Sequence, residues 1–379
     1  MDRKVAIVDA VQTKHNDKLE DNIREIMFDV VRRLLDRVGI ERSDIGTVVS
    51  SSSDYWQGIG CSNSYYYDAA GANLKSGSKA AEDSALGFHY GVMRVLSGQY
   101  STALVVSVTK CSESPSVHAL THMGADPFFQ RPVGLNETVV AGLQAREYMN
   151  RYGIREEHLA RVVVKNSGNA RKNPNAHRGM ELTVEDVLSS PMMVYPLRQL
   201  DVPSTSDGAC AVLLADEEFA RDLTDTPVTV EGIGWSVNHS FLGDQDLLQG
   251  SLSKAAEMAY RMAGIKEPVK TIDVAEVCDT TSFHEILWTE QLGFCPPGKG
   301  VELLNDGVTS LDGTLPVNPS GGLFGANPYV ARGLIRIAEA ALQIKGEAGE
   351  LQVPNVKKAL AHSVHGLGGQ LQSVVILGK

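Results

Sequence analysis

Hydrophobic and polar positions along the chain alternate between short apolar runs and longer stretches with helical spacing. Residues 4–9 form a short apolar run that predicts a buried strand. The next stretch repeats apolar residues every three or four positions, which predicts an amphipathic helix that Asp21 caps and that ends at Gly39. Its apolar stripe comprises Ile23, Ile26, Met27, Val30, Val31, Leu34 and Leu35. The run IGTVVSSSS then predicts a second strand.

The alternation of strands and helices continues along the chain. Residues 80–98 carry apolar side chains at helical spacing and predict a helix, and residues 101–110 predict another buried strand. Later in the chain, residues 271–277 predict a buried central strand, and residues 371–378 predict a final strand. Strands rich in β-branched residues that alternate with helices are typical of sheets covered by helices. The pattern therefore predicts an α/β fold.

The second half of the chain repeats the pattern of the first. A helix, a Gly-Ile stop, a polar link and an apolar strand occur in residues 32–53 and again in residues 257–281. We therefore predict an N-terminal half, residues 1–225, and a C-terminal half, residues 226–379, joined where proline and polar residues interrupt the pattern. Residues from about 115 to 195 have no counterpart in the second half, and we interpret them as a loop insertion over the active-site face.

Composition and charge exclude several classes of protein. The net charge of −11 makes nucleic acid an improbable partner, because phosphate binding needs a basic surface. No run of about 18 apolar residues predicts a membrane span, and the N-terminal segment lacks the apolar stretch of a secretory signal. The five cysteines are widely spaced without a CxxC pair, which indicates free thiols, a reducing, cytoplasmic compartment and no metal site.

Several segments in a fixed order identify the chain as a member of the thiolase superfamily, with particular similarity to its archaeal-type and sterol-carrier-type members. These segments are PLRQLDVPSTSDGACAVLL, DVAEVCDTTSFHEILWTEQLGF, LDGTLPVNPSGGL, RIAEAALQIKGEAGELQVPN and HGLGGQLQSVVIL. The resemblance implies two similar halves in a five-layered α/β/α/β/α arrangement. It also implies a homodimer, with strand 101–110 at the dimer edge, and acyltransferase chemistry on a CoA thioester. CoA would then be a substrate or product, with no permanently bound cofactor. In this branch a small zinc-ribbon/OB-fold subunit often accompanies the catalytic chain, which makes such a partner an expectation.

The chain departs from the family at the position of the nucleophile. Members of the family carry a cysteine where the helix after the third strand begins, and the matching position here is Ala81. No cysteine lies between Cys61 and Cys111. Ser84 is close enough to be considered as a substituted nucleophile, but it lies about one helical turn too late. The alternative for Ser84 is an ordinary hydroxyl in the first turn of a helix.

Four residues fall on other catalytic positions of the family. Cys278 stands where thiolases hold an oxyanion water, so it is either a relocated nucleophile or a buried filler. Asn327 replaces the family histidine and can polarise an oxyanion, although it cannot transfer a proton. Tyr329 is a candidate acid/base, and His365 is a candidate general base. Each also has a purely structural interpretation, as a turn, packing or backbone-bonded residue.

Substrate-binding candidates come from Ala81 and Ser84 around the nucleophile position, from glycines and from one basic stretch. Gly322, Gly368 and Gly369 allow a close backbone approach to the thioester. The basic residues of the insertion suit CoA phosphates or, alternatively, form a solvated helix face. They are Lys165, Arg171 and Arg178.

Three functions remain open from the sequence. The first is a divergent thiolase acting through Cys278, for example on an aromatic substrate such as benzoylsuccinyl-CoA. The second is an aldolase-type lyase that forms no acyl-enzyme and uses His365, Tyr329 and Asn327. The third is a catalytically silent subunit that binds acyl-CoA.

Overall fold

A computed structural model describes residues 3–379 of the chain, so the first two residues of the predicted N-terminal half lie outside the described part. Nine strands of this part form one sheet in the order β3-β2-β4-β7-β1-β8-β11-β10-β9, and β5 pairs with β6 alone. The strands are β1 Val5–Gln12, β2 Thr47–Ser52, β3 Ser76–Ala81, β4 Thr102–Lys110, β5 Met192–Val194, β6 Leu197–Arg198, β7 Asp207–Asp216, β8 Val228–Val237, β9 Val274–Glu276, β10 Lys358–His365 and β11 Leu371–Gly378.

Helices cover the sheet and fill the space between its two halves. They are α1 Ile23–Val38, α2 Asp54–Gln57, α3 Ser84–Leu96, α4 Val117–Met123, α5 Glu137–Tyr152, α6 Glu156–Ala170, α7 Val184–Ser189, α8 Glu217–Leu223, α9 Leu252–Ala263, α10 Pro268–Thr271, α11 Ser282–Gln291, α12 Gly300–Asn305, α13 Gly322–Gly325 and α14 Arg332–Lys345. In the described residues, no helix combines the length and hydropathy needed to cross a membrane.

Three apolar cores define the layers. One core lies between α1, α8 and the N-terminal strands, and another lies between α9, α11 and the C-terminal strands. The third contains the apolar faces of α3 and α14 and touches strands of both halves. The halves meet where β1 pairs with β8 over a short antiparallel stretch. This arrangement confirms the predicted α/β/α/β/α fold of two similar halves.

Helix α1 shows how closely the local pattern determines an element. All seven residues of the predicted apolar stripe are buried, and the helix ends at Gly39 in a left-handed conformation with φ 77°. The N-terminal cap is Asn22 rather than the predicted Asp21. The Asn22 side chain accepts hydrogen bonds from two backbone N–H groups, and Glu25 completes the capping box.

Three predictions about strands and helices are wrong. Strand β4, predicted over residues 101–110 as the dimer edge, is an interior strand because β2 and β7 pair with its two sides. The edge strand on that side is β3. Its last two residues, 80 and 81, fall within the predicted helix 80–98, and α3 begins only at Ser84. Strand β9, predicted to be a long central strand, spans three residues at the other end of the sheet order.

The insertion between residues 115 and 195 is largely helical. It contains α4 to α7 rather than an extended loop, and α6 packs against α11 and α13 of the C-terminal half. Its residues nevertheless line a cavity in front of α14, as the interpretation of this segment requires.

A buried ion pair connects α14 to the C-terminal strands. The Arg336 guanidinium donates to Glu276 at the end of β9 over 2.8 Å and to the Ser320 hydroxyl over 2.7 Å. Both charged side chains are about 1% exposed. Desolvation raises the pKa of Glu276, and the positive charge of Arg336 opposes that rise. Each charge is therefore tolerated only because the other is present.

We predict that Arg336→Met destabilises the protein by about 3–5 kcal/mol, because Glu276 then keeps a buried charge without its partner. Denaturant unfolding followed by circular dichroism measures the change. The matched control is Lys254→Met, which breaks an exposed pair with Glu257 and should leave the midpoint nearly unchanged. Equal midpoints for both variants would contradict the prediction.

Candidate active site

A cavity of about 400 Å³ opens between the insertion and the turn that leads into α14. Its walls combine Glu137 from α5, Arg178 from the insertion, and Asn327, Tyr329 and Arg332 from the segment around the start of α14. This is the part of the fold where β3, β9 and β10 end, and carboxyl ends of strands are where α/β folds place ligands. We therefore take this region as the candidate active site.

The turn between β3 and α3 carries an acidic residue in a strained conformation. Glu82 has φ 68°, in the left-handed region, which costs a non-glycine residue about 1–2 kcal/mol. The turn is held because the Asp83 side chain caps α3 and accepts the Ala85 N–H over 2.9 Å. Strain of this kind persists at functional sites because the surrounding structure enforces it.

Glu82 faces His365, the last residue of β10. Neither residue is in the cavity lining, but His365 contacts Tyr329, which is part of that lining. Glu82 Oε2 lies 3.9 Å from His365 Nε2 and has no hydrogen-bond partner among the described residues. Desolvation raises the pKa of the Glu82 carboxyl. Desolvation, and then the charge of Arg332, lower the pKa of His365, so its imidazole is neutral at pH 7. A carboxyl with a raised pKa beside a neutral imidazole is suited to moving protons.

Tyr329 lies beside this pair and is fixed on both faces. Its ring stacks on Trp56 with centroids 3.9 Å apart and meets the His365 ring edge-on at 6.0 Å. Its hydroxyl donates to Glu137 Oε2 over 3.1 Å. Desolvation, reinforced by Glu137, raises the pKa of the phenol well above its ordinary value. This geometry makes Tyr329 a hydrogen-bonding residue and a poor proton donor.

Arg332 closes the inner end of the cavity. Its side chain is 3% exposed, and its guanidinium lies 4.3 Å from the centre of the Tyr329 ring. Nη2 donates to the Val364 carbonyl over 2.7 Å and approaches Glu137 Oε1 at 3.4 Å. The pKa of Arg332 stays high because the negative groups around it outweigh the cost of burial.

Asn327 is on the cavity wall, as its predicted role requires. Its backbone N–H donates to the Ser206 hydroxyl over 3.1 Å, and its Nδ2 donates weakly to the Pro203 carbonyl over 3.4 Å. Asn327 Oδ1 is buried without a partner among the described residues. The oxygen can only accept hydrogen bonds, whereas Nδ2 has a second N–H that can donate to a bound molecule.

Cys278 does not lie on the cavity wall. It is 0% exposed within the core between α11 and the C-terminal strands. Its backbone carbonyl accepts from Trp288 Nε1 over 3.1 Å, and its thiol donates to the Ser363 hydroxyl over 4.0 Å. Desolvation raises the pKa of the thiol to about 11. This burial favours the filler interpretation over a relocated nucleophile.

Ala81 and Ser84, two predicted substrate contacts close to Glu82 in sequence, lie away from the cavity. Ala81 is the last residue of the edge strand β3 and is exposed. Ser84 is fully buried between two helices, where its hydroxyl accepts the Leu334 N–H over 2.8 Å. Neither side chain is in the cavity lining, and their role as substrate contacts stays a prediction.

The three basic candidates separate in the structure. Lys165 forms a buried ion pair with Glu285 at 2.6 Å and donates to the Val317 carbonyl, so it is not available to a phosphate. Arg171 pairs with Glu181 and lies outside the cavity lining. Arg178 is about half exposed, pairs with Asp17 at 3.1 Å and lies at the cavity, where an anionic ligand can reach it.

The predicted glycines have structural reasons for their identity. Gly322 has φ 59°, and a Cβ there would lie 2.4 Å from Asp279 Oδ1. Gly369 has φ 77° in the turn between β10 and β11, and a Cβ there would lie 2.4 Å from Gln372 Nε2. Gly368 is also left-handed in this turn. All three belong to the scaffold around the site, and none is in the cavity lining.

Three residues of the site were missed by the sequence argument: Glu82, Glu137 and Arg332. Glu82 immediately follows the nucleophile position, and a carboxylate there is a sequence signal for acid/base chemistry. Arg332, five residues after Asn327, was a detectable charge within an otherwise apolar stretch. Glu137 carried no local signal, because only the packing of α5 brings it to Tyr329.

Comparisons of the sequence with known proteins converge on one family. Residues 215–379 match the family model described as Thiolase C-terminal domain-like. The chain is 32% identical to the acetyl-CoA acetyltransferase of Methanothermobacter thermautotrophicus over 97% of both chains. It is also 36% identical to rabbit (Oryctolagus cuniculus) sterol carrier protein 2, over 63% of this chain and 44% of that protein.

Two solved structures share the fold. A chain of the structure titled "Ltp2-ChsH2(DUF35) aldolase" superimposes with a TM-score of 0.83 at 23% identity and covers 99% of this chain and 97% of that one. Human mitochondrial 3-ketoacyl-CoA thiolase superimposes with a TM-score of 0.73 at 14% identity, over 100% and 99% of the two chains.

We predict that iodoacetamide labels Cys61 in the native protein and leaves Cys278 unlabelled. The reason is that Cys61 is exposed to solvent, whereas Cys278 is fully buried. Peptide mass spectrometry after short labelling provides the measurement, and labelling in denaturant is the control that both peptides are detectable. Rapid labelling of Cys278 that acyl-CoA prevents would instead support the relocated nucleophile.

Proposed function

The chain belongs to the thiolase superfamily as an acyltransferase-like enzyme, and on that premise we propose that it forms or breaks a carbon–carbon bond of a CoA thioester without an acyl-enzyme. The reaction is of the aldol type: a 3-hydroxyacyl-CoA and a shorter acyl-CoA plus an aldehyde or ketone are interconverted. CoA serves as the carrier of the substrate.

One observation carries this proposal. At the turn where the superfamily places its nucleophilic cysteine, this chain presents the Glu82 carboxylate, at φ 68° and 3.9 Å from His365. The carboxylate cannot replace a thiolate in thiolytic cleavage. It can act as a general acid/base, and aldol chemistry requires that function together with a site that stabilises the enolate.

The proposed cleavage balances without a further reactant. His365 takes the proton of the 3-hydroxyl, the bond between C2 and C3 breaks, and its electron pair becomes the enolate of the shorter thioester. Protonated Glu82 then gives its proton to C2, and C3 leaves as the carbonyl of the second product. The proton on His365 returns to Glu82 across the gap between them, which restores both groups. Asn327 donates a hydrogen bond to the thioester oxygen.

The divergent thiolase is the second candidate, because relatives named acetyl-CoA acetyltransferase cover nearly the whole chain. It requires a thiol that reaches the substrate. Cys278 is the cysteine that falls on a catalytic position of the family in the sequence, and its burial argues against this candidate. A silent subunit would have no use for a strained Glu82 beside His365.

Assembly is part of the proposal. The structural neighbour titled as an aldolase carries a DUF35 partner in its title, and we propose that this chain forms a homodimer that binds a comparable small subunit. The exposed edge of β3 is the sheet edge available for pairing between copies on that side. Assays of activity should therefore include any such partner encoded beside the chain.

We predict that cleavage consumes no free CoA. With 3-hydroxy-3-phenylpropanoyl-CoA as probe, the enzyme should release benzaldehyde and acetyl-CoA in equal amounts, and added CoA should not change the rate. Product chromatography and a thiol assay provide the measurement, with acetoacetyl-CoA plus CoA as the thiolysis control. Consumption of one CoA for each bond broken would refute the proposal in favour of a thiolase.

We predict that Glu82→Gln lowers the exchange of the α-hydrogens of acetyl-CoA or propionyl-CoA with D₂O by about 10²–10⁴-fold, because Glu82 is the base that forms the enolate. Mass spectrometry of the thioester measures exchange. Glu20→Gln makes the same chemical change at a side chain that is 85% exposed, and this control should exchange at the wild-type rate.

We predict an acidic limb in the pH profile of this exchange. The base must be ionised, so the rate should fall as the pH falls through the pKa of Glu82, which desolvation raises above the usual glutamate value. The limb should vanish from the residual activity of Glu82→Gln. A limb that persists unchanged in the variant would assign the titration to another group.

A further inference from the structure

We propose that Arg332 binds an anionic oxygen atom of the acyl portion of the substrate at the inner end of the cavity. This proposal rests on the function proposed above. It adds that the acyl group carries a negative charge where it meets Arg332. Two sources supply such an oxygen: the enolate formed during reaction, and a carboxylate carried by the acyl group itself.

The first support is the number of unused donors. Arg332 is 3% exposed, yet Nη2 is the one guanidinium nitrogen for which the described residues supply hydrogen-bond acceptors. Nε and Nη1 have no hydrogen-bond acceptor among residues 3–379, and neither nitrogen is fully buried. Both therefore remain accessible from the cavity that Arg332 lines. A guanidinium has five N–H donors, so most of its hydrogen-bonding capacity remains for a ligand.

The second support is the balance of charge around Arg332. Glu137 is its close acidic partner and already accepts the Tyr329 hydroxyl. Asp83 also contributes negative potential, but desolvation raises the pKa of its carboxyl, and Ser363 donates to it over 2.8 Å. His365 is neutral. A buried cation that shares one carboxylate favours an additional anion strongly, because the surroundings screen charge poorly.

The third support is position. Arg332 lies against the Tyr329 ring, which itself meets His365, and His365 faces Glu82. An anion held by Arg332 is therefore next to the groups that move protons. The guanidinium also meets planar, two-oxygen anions in a matching geometry, which a lysine ammonium cannot do.

The binding arm of the test compares succinyl-CoA with butyryl-CoA, which differ by a terminal carboxylate on chains of equal length. If the source is a carboxylate, the wild-type protein should bind succinyl-CoA at least about tenfold more tightly, and Arg332→Gln should remove that preference. Isothermal titration calorimetry measures both dissociation constants. Glu137→Gln is the matched variant: it removes the competing carboxylate and should strengthen the preference.

The reaction arm measures α-hydrogen exchange of acetyl-CoA. If the source is the enolate, Arg332→Gln should lower the exchange rate constant by about 10²–10³-fold while the dissociation constant of acetyl-CoA stays unchanged. Arg332→Lys keeps the positive charge but loses the two parallel N–H donors of the guanidinium. Its exchange rate should therefore lie between those of Arg332→Gln and the wild-type protein. Circular dichroism confirms that each variant is folded.

Either arm supports the proposal and identifies the source. The proposal is overturned if folded Arg332→Gln retains the wild-type exchange rate and the wild-type ratio of the two affinities. If Arg332→Gln does not fold, two other results together overturn the proposal. The first is that the wild-type protein and Glu137→Gln each bind succinyl-CoA and butyryl-CoA equally tightly. The second is that Arg332→Lys exchanges α-hydrogens at the wild-type rate. Absence of exchange in the wild-type protein contradicts the proposed function, and the binding arm then decides the Arg332 proposal alone.

Discussion

The enclosure of α14 between the two halves of the sheet is the constraint on which the site depends. Apolar residues of this helix pack against strands of both halves, so its position and rotation are fixed. Two arginines on it, Arg332 and Arg336, are only 3% and 1% exposed, so their charges depend on partners other than bulk water. Arg336 is paired with Glu276 and fastens the helix to β9. Arg332 is the first residue of the helix, one turn before Arg336, and lines the inner end of the cavity.

Low solvent access gives the groups at this end their chemical character. Desolvation raises the pKa of Glu82 and lowers the pKa of His365, so both shift toward uncharged forms. The same effect raises the pKa of Cys278 and makes it inert, although it lies close in sequence to residues that line the cavity. Burial thus separates residues that the family resemblance alone treats as equivalent candidates.

The strained turn at Glu82 links the fold to the proposed chemistry. A strand that leads directly into a buried helix forces a sharp turn, and the side chain at that turn projects toward the ends of neighbouring strands. In this chain the projecting side chain is a carboxylate, held by the Asp83 cap and by the pairing of β3 with β2. The scaffold therefore keeps the geometry of a nucleophile position while the residue type changes the reaction it supports.

Local sequence was enough to predict the repeated α/β pattern, the apolar stripe of α1, the strand over residues 371–378 and the absence of a thiol at the turn. Each is a local property, set by the period of apolar positions or by residue identity. Tertiary contacts place β4 in the interior of the sheet and pair Lys165 with Glu285. They also bring Glu137 of the insertion to Tyr329 and Arg332. Strand order, burial and charge pairing depend on contacts between residues distant in sequence, and local periodicity contains no information about which distant residues share a buried space.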